Sequence, residues 1–326
     1  MRLGAALLVL GIVLGGCVST RPPLRSAPVE LTDVPFFAQT AYQCGPAALA
    51  TVLNDSGLDI LPADITSDVF IPDRKGSLQI ELVAAARRHG RLPYLIEGDV
   101  EALLTELEAG RPVLVLQNLA FRRWPKWHYA VVVGYLPGRD RFVLRSGRKE
   151  RRQTPTGLFA HRWSLADSWG FVVLDEGELP ASASADGWVR TLAASEGRID
   201  PEFARAGYEA GLARWPDNPL LLFAAANFHY GSGDQAGALK LYRHVLELEP
   251  AHPAARNNLA NLLLERGCVT QARLEIDRAL ADLPADDPLR PALEDTRNEA
   301  RAADEGSAEC RQVEPGSDGK PEDAWQ

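Results

Sequence analysis

Apolar and polar positions follow two rhythms along this chain, and the change falls near residue 180. Between Leu31 and Glu178, apolar runs of strand length mix with segments of helical period. Ala47, Ala48, Leu49, Ala50, Val52 and Leu53 form a helical run that stops near Asn54 and Gly57. A second helix is predicted from Ser77 to His89, and a third from Val100 to Ala109, closed by Gly110. RPVLVLQNL then reads as a buried strand. HYAVVVGY and DRFVLRSG read as two more, joined through Pro137-Gly138, and WGFVVLDE adds another. Helices first and strands afterwards predict an α+β domain over 31–178, not a doubly wound sheet.

After GELPASASADG, whose residues 179–186 read as a linker, strand signals vanish and an internal period appears. Pro216, Pro250 and Pro284 stand 34 residues apart, and Gly233 recurs as Gly267, Ala238 as Ala272, Ala226-Asn227 as Ala260-Asn261. Ala204 and Tyr208 likewise recur as Ala238 and Tyr242. Small residues where helices cross, with Pro after each second helix, resemble the tetratricopeptide repeat. The resemblance implies an all-α solenoid over 187–304. Its helix pairs would run near 187–215, 220–249 and 254–283, with a polar capping helix at 288–303. Such arrays bind an extended peptide or a helix of another protein, so a protein partner is expected here. Residues 305–326 read as a disordered acidic tail.

The chain has 326 residues, 46% hydrophobic and 24% charged, enough for two domains. Its net charge of −9 argues against a nucleic-acid partner. One basic cluster, Arg139 to Arg152, holds seven cations and two acids, and reads as a solvated strand edge kept from aggregating by charge. An acidic substrate or an anionic lipid surface is the other reading of that cluster.

The N-terminal MRLGAALLVLGIVLGGC is an apolar run too short to span a bilayer. Ending in LGGC, it resembles a bacterial lipoprotein signal. That resemblance implies a signal peptide over 1–16, lipid on Cys17, and a polar tether over 17–30. A lipid-anchored, periplasm-facing protein would follow, and Val18 after Cys17 points to the outer membrane. Of the four cysteines, Cys268 and Cys310 can pair in an oxidising compartment or stay apart. No Cys/His spacing fits zinc, and no cofactor is expected.

The remaining cysteine, Cys44, falls at a predicted helix N-terminus, where orphan amides favour a thiolate. A nucleophile needs a base, oxyanion donors and often a group that orients the base. His89 ends a helix beside Arg87 and Arg88, and His161 sits in a predicted loop beside Arg162. His128 opens the strand HYAVVVGY directly after the aromatic loop FRRWPKW, where a side chain can face a cleft. Gln39, five residues before Cys44, can point an amide at an oxyanion beside the Cys44 N–H.

Together, VPFFAQTAYQCGPAALATVL and WHYAVVVGY resemble the papain-like cysteine peptidases of the bacteriocin-processing type. Those enzymes cut double-glycine leader peptides. The resemblance implies Cys44 as nucleophile, His128 as general base and then acid, and Gln39 in the oxyanion hole. Where that family places an orienting Asp or Asn, this chain has Ser146, and Asp140 lies earlier, nearer the turn. A cysteine peptidase acting on peptides or proteins, with a repeat domain for docking, is the leading expectation. A non-catalytic binding scaffold and a related Cys–His amidase or acyl transferase stand beside it.

Overall fold

The computed structural model describes residues 24–39 and 42–303. The expected signal peptide, Cys17 with its expected lipid, residues 17–23 of the tether, Cys310 and the acidic tail lie outside the described residues. Cys268 itself is buried at the start of a repeat helix.

The first half begins with a two-residue strand β1 (Val29–Glu30), followed by three helices, α1 (Cys44–Asp55), α2 (Pro62–Val69) and α3 (Gln79–Arg88). Strand β2 (Leu92–Leu95) and helix α4 (Val100–Glu108) come next. Asp99 caps α4 by accepting the Ala102 N–H at 2.6 Å, and Gly110, at φ +83°, ends it in a conformation that suits glycine. Strands β3 (Val113–Asn118), β4 (Trp127–Leu136), β5 (Arg141–Ser146) and β6 (Lys149–Pro155) then form a meander. Helix α5 (Thr156–Ser164) and strand β7 (Gly170–Leu174) close the half.

All strand pairs are antiparallel, in the order β2-β7-β3-β4-β5-β6, with β1 added against β4. β1 passes so near β4 that a Cβ on Gly134 would lie 2.5 Å from the Val29 carbonyl oxygen. A register shift between Val132 and Gly134 marks the same place.

Side chains alternate across the sheet, and the two faces bury two different cores. Leu114, Leu116, Tyr129, Val131 and Val133 face α1–α3. Leu49 and Leu53 of α1 are fully buried there, each contributing about 1.5–3 kcal/mol. Val113, Val115, Ala130 and Val132 face the other way, toward α4 and α5.

That second core does not end with the sheet. It continues through α6 (Ala185–Ala193), α7 (Pro201–Arg214) and α8 (Pro219–Gly231), and contains Trp188, Leu192, Tyr208 and Phe228. Trp188 is fully buried, tilted against Tyr94 of β2 at 6.3 Å, and donates its indole N–H to Gly207 O at 2.9 Å. A Cβ on Gly211 would sit 2.8 Å from that indole, so the close crossing of α6 and α7 needs glycine. Residues 179–186 run from β7 to α6 with Ala183 buried, while Arg214 donates to the carbonyls of Pro180 and Ala181.

Helices α9 (Gln235–Leu248), α10 (Pro253–Glu265), α11 (Val269–Asp282) and α12 (Arg290–Ala302) finish the solenoid around their own core. Helices start at Ala185, Pro219 and Pro253, and again at Pro201, Gln235 and Val269, which preserves the 34-residue period. The architecture is a mixed α+β sheet domain followed by an all-α repeat region. Among the described residues, no helix is long and apolar enough to cross a membrane.

Pattern reading leaves out β2 and β6, which are the two sheet edges, and the short helices α2 and α5. KERRQTP carries no alternation because β6 is largely exposed, and Pro93 sits where an edge strand tolerates it. Lys149 and Arg151 of the basic cluster lie exposed on this edge strand, whereas Arg145 of the same cluster is buried. His161, expected in a loop, lies in the last turn of α5 with its side chain in solvent.

Candidate active site

Cys44 is the first residue of α1, preceded by Gln43, whose side chain does not cap the helix. Gln43 instead accepts a 3.2 Å hydrogen bond from Thr66 Oγ1 on α2. With no side chain occupying the helix N-terminus, its amides are available to the thiol. The backbone N–H groups of Tyr129, Gly45 and Cys44 itself point to the sulfur and favour its charged form. Burial acts against them and wins, so the thiol stands above its ordinary pKa. This differs from the sequence expectation of a lowered value, because desolvation outweighs the helix amides here.

Glycine is required next to the nucleophile position. A Cβ on Gly45 would fall 2.3 Å from Ser77 Oγ, so α1 starts where it does only because residue 45 has no side chain. Tyr129 locks the same corner, donating its hydroxyl to Ser77 O at 3.2 Å. Tyr42, two residues before Cys44, has φ +67°, a sparsely populated conformation for a bulky residue.

His128 is the second residue of β4, adjacent to the Tyr129 amide that faces Cys44. Its Nε2 lies 2.8 Å from Ser146 Oγ, at the end of β5. Burial lowers its pKa to about 4, and the cations Arg152, Lys126 and Arg162 push in the same direction. At neutral pH the imidazole is uncharged.

Gln39 is held to this corner by its backbone. Its N–H donates to Gly147 O at 2.9 Å, one residue past Ser146. The approach to Gln39 is fixed by a residue that the sequence reading passed over. Arg145 is 5% exposed and spends its guanidinium on backbone carbonyls: Thr32 at 3.0 Å, Val34 at 2.9 and 3.1 Å, and Glu150 at 2.9 Å. An arginine inside the apolar run FVLRSG was the available signal. Gln117, paired across the strands with His128, is also buried at the site, and its Nε2 has no partner.

The other candidates lie elsewhere. Asp140, at the far end of β4, accepts from the Tyr135 hydroxyl at 3.2 Å. His89 ends α3, 3.7 Å from Asp68. Among the described residues, no group of three His, Cys, Asp or Glu side chains is placed to hold a metal ion. A half-buried thiol with amides around it, and a neutral imidazole held at one nitrogen, are the residue types that acyl transfer uses.

Residues 31–168 match the Peptidase_C39 like family, and residues 229–294 match the tetratricopeptide repeat. No curated protein matches the chain. Among solved structures, a Bacillus anthracis protein described as a C39-like peptidase is 16% identical, over 46% of this chain and 98% of that one, at a TM-score of 0.39. The peptidase domain of Streptococcus ComA, a bi-functional ABC transporter of a quorum-sensing pathway, is 17% identical over 44% and 99%, at 0.37. The Yersinia enterocolitica type III secretion translocator chaperone SycD is 13% identical over 37% and 85%, at 0.34. The chain thus carries a C39-like peptidase domain followed by a tetratricopeptide-repeat region.

Proposed function

We propose that the chain is a cysteine peptidase that hydrolyses peptide bonds through Cys44. The observation that carries this reading is the corner where the Tyr129 amide meets the Cys44 sulfur while the neighbouring His128 is held at Nε2 by Ser146. In this reading Nδ1, the ring nitrogen that Ser146 does not hold, serves the thiol. Because both partners are neutral at rest, the Cys44 proton passes to Nδ1 as sulfur attacks the peptide carbonyl. The oxyanion rests on the Cys44 N–H and the Gln39 side-chain amide. The imidazolium, steadied by Ser146, gives its proton to the departing amine. Water then adds to the thioester with His128 as base, releasing the acid and restoring the thiol.

The helical repeats supply docking for a protein partner, packed directly on the peptidase sheet. Lipid on Cys17 would hold the enzyme at the periplasmic face of the outer membrane, close to peptides that arrive there.

Two observations favour a second reading, a non-catalytic peptide-binding scaffold. The thiol pKa is raised and the histidine partner is a serine, not a carboxylate. Alkylation separates the two. Iodoacetamide or E-64 adducts, located by mass spectrometry, should form on Cys44 near neutral pH and collapse in His128→Ala. Labelling indifferent to His128 would leave the scaffold.

A further inference from the structure

The loop from Phe121 to Trp127, between β3 and β4, leads straight into His128. Its Phe121, Trp124 and Trp127 are 76%, 70% and 53% exposed, an apolar cluster of a kind that marks an interaction surface. The loop is built to hold those rings in place. Fully buried Asn118 accepts the N–H groups of Ala120 at 3.0 Å and Lys126 at 2.9 Å, and donates to Phe121 O at 3.3 Å. Leu119 N donates to Lys126 O, and Trp124 N to Phe121 O, closing a tight turn.

Its charge is one-sided. Arg122, Arg123 and Lys126 are exposed, the loop contains no acid, and the Arg123 guanidinium lies 5.3 Å from the Trp124 ring centroid. The charged groups that bear on His128 are Arg152, Lys126 and Arg162, cations on three separate elements. On the Cys44 side, exposed Tyr42 carries the Lys75 ammonium 6.0 Å from its ring centroid. A chain of net charge −9 therefore concentrates cations and exposed aromatic rings at this one site.

We propose that the cleft selects acidic peptide segments bearing an aromatic or aliphatic side chain, with carboxylates against Arg122, Arg123, Lys126 and Arg152 and the apolar group on the Phe121–Trp127 rings. Cleavage of such a segment rests on the peptidase reading of the same site, whereas its binding does not. A bilayer is the other surface that cations and tryptophans suit. The described chain enters the domain far from these rings. Leu24 donates its N–H to the Tyr135 hydroxyl, at the opposite end of β4, roughly 27 Å along the strand from Trp127.

The test uses the whole chain as Cys44→Ala and a fluorescein-labelled peptide with Glu and Phe on both sides of a Gly-Gly pair. Its twin carries Gln for every Glu. Anisotropy should show the acidic peptide binding roughly tenfold tighter than its twin at low salt, the advantage shrinking as salt rises. The preference should disappear in Arg122→Glu/Arg123→Glu/Lys126→Glu. Equal binding of the twins overturns the proposal, as does a preference that survives charge reversal. Capture on phosphatidylglycerol vesicles without any peptide preference overturns it in favour of a membrane surface. The Cys44 protein reads the other question separately. Tight binding of the acidic peptide without cleavage keeps the ligand class and sinks the peptidase. Equal cleavage of both twins keeps the peptidase and sinks the selectivity.

Discussion

His128 Nε2 stands 2.8 Å from Ser146 Oγ, so a neutral hydroxyl occupies the position from which a carboxylate would stabilise an imidazolium. A serine can hold the ring at the right angle but contributes little to its charge. Ser146→Ala should lower kcat/KM on a cleaved peptide by roughly tenfold, through lost orientation. Ser146→Asp should raise the His128 midpoint by about one to three pH units, since an opposite charge favours the protonated ring. An NMR titration of the His128 ring reads this directly. No upward movement in Ser146→Asp would mean that Ser146 is not its partner in solution.

The His128 environment also makes stability depend on pH. Its pKa falls from 6.5 to about 4 on folding, so between those values the unfolded chain binds the extra proton. The contribution is complete above pH 6.5 and is lost as pH falls toward 4, in total about 3 kcal/mol. Urea denaturation across this range should show wild type losing that much more stability on acidification than His128→Gln. Parallel curves for the two proteins would contradict the assignment.

Gly45→Ala places a methyl group 2.3 Å from Ser77 Oγ and 2.6 Å from Ser77 Cβ. Overpacking of this kind costs about 1–3 kcal/mol and should shift the start of α1, slowing alkylation of Cys44 as well. Removing the obstacle in Gly45→Ala/Ser77→Gly should restore the alkylation rate. Failure of that rescue would point to helix geometry instead of the Ser77 contact.

Arg145→Met leaves the carbonyls of Thr32, Val34 and Glu150 without their donor. Stability should fall by about 2–3 kcal/mol, as expected when one buried acceptor and two partly buried ones lose a charged partner. Hydrogen exchange should rise at residues 32–39, and the loss of activity should exceed the loss of folded protein. Unchanged exchange there would remove Arg145 from the positioning of Gln39.

Trp188→Ala empties a site shared by the sheet and the first repeat, at a cost of about 3–5 kcal/mol. Near-ultraviolet and far-ultraviolet circular dichroism should lose their signals in one earlier transition. Two separated transitions would show that the halves fold independently despite the shared core.

Hydrophobic pattern located α1, α3, α4 and the strands β3, β4, β5 and β7, since each buries one or both faces and so carries an apolar period. It could not locate β2 or β6. An edge strand is specified by its neighbour's free N–H and C=O groups, which no side-chain pattern records. The 34-residue period placed the repeats because each copy must bury the same face against the next.

Residue types and spacing singled out Cys44, His128 and Gln39, because chemistry restricts which side chains can serve as thiol, base and amide, and the family resemblance added Ser146. The choice of His128 among the histidines rested on its place at the mouth of a strand, and its bond to Ser146 is what the structure adds. Tertiary structure alone decided the rest. It set the thiol's protonation, since burial outweighs the helix amides only once α1–α3 pack on the sheet. It drew Arg152, Lys126 and Arg162 around His128 from separate elements. It also joined the two halves through Trp188. These are sums over contacts distant in sequence, with no local signature, whereas periodicity and residue chemistry are local and can be read along the chain.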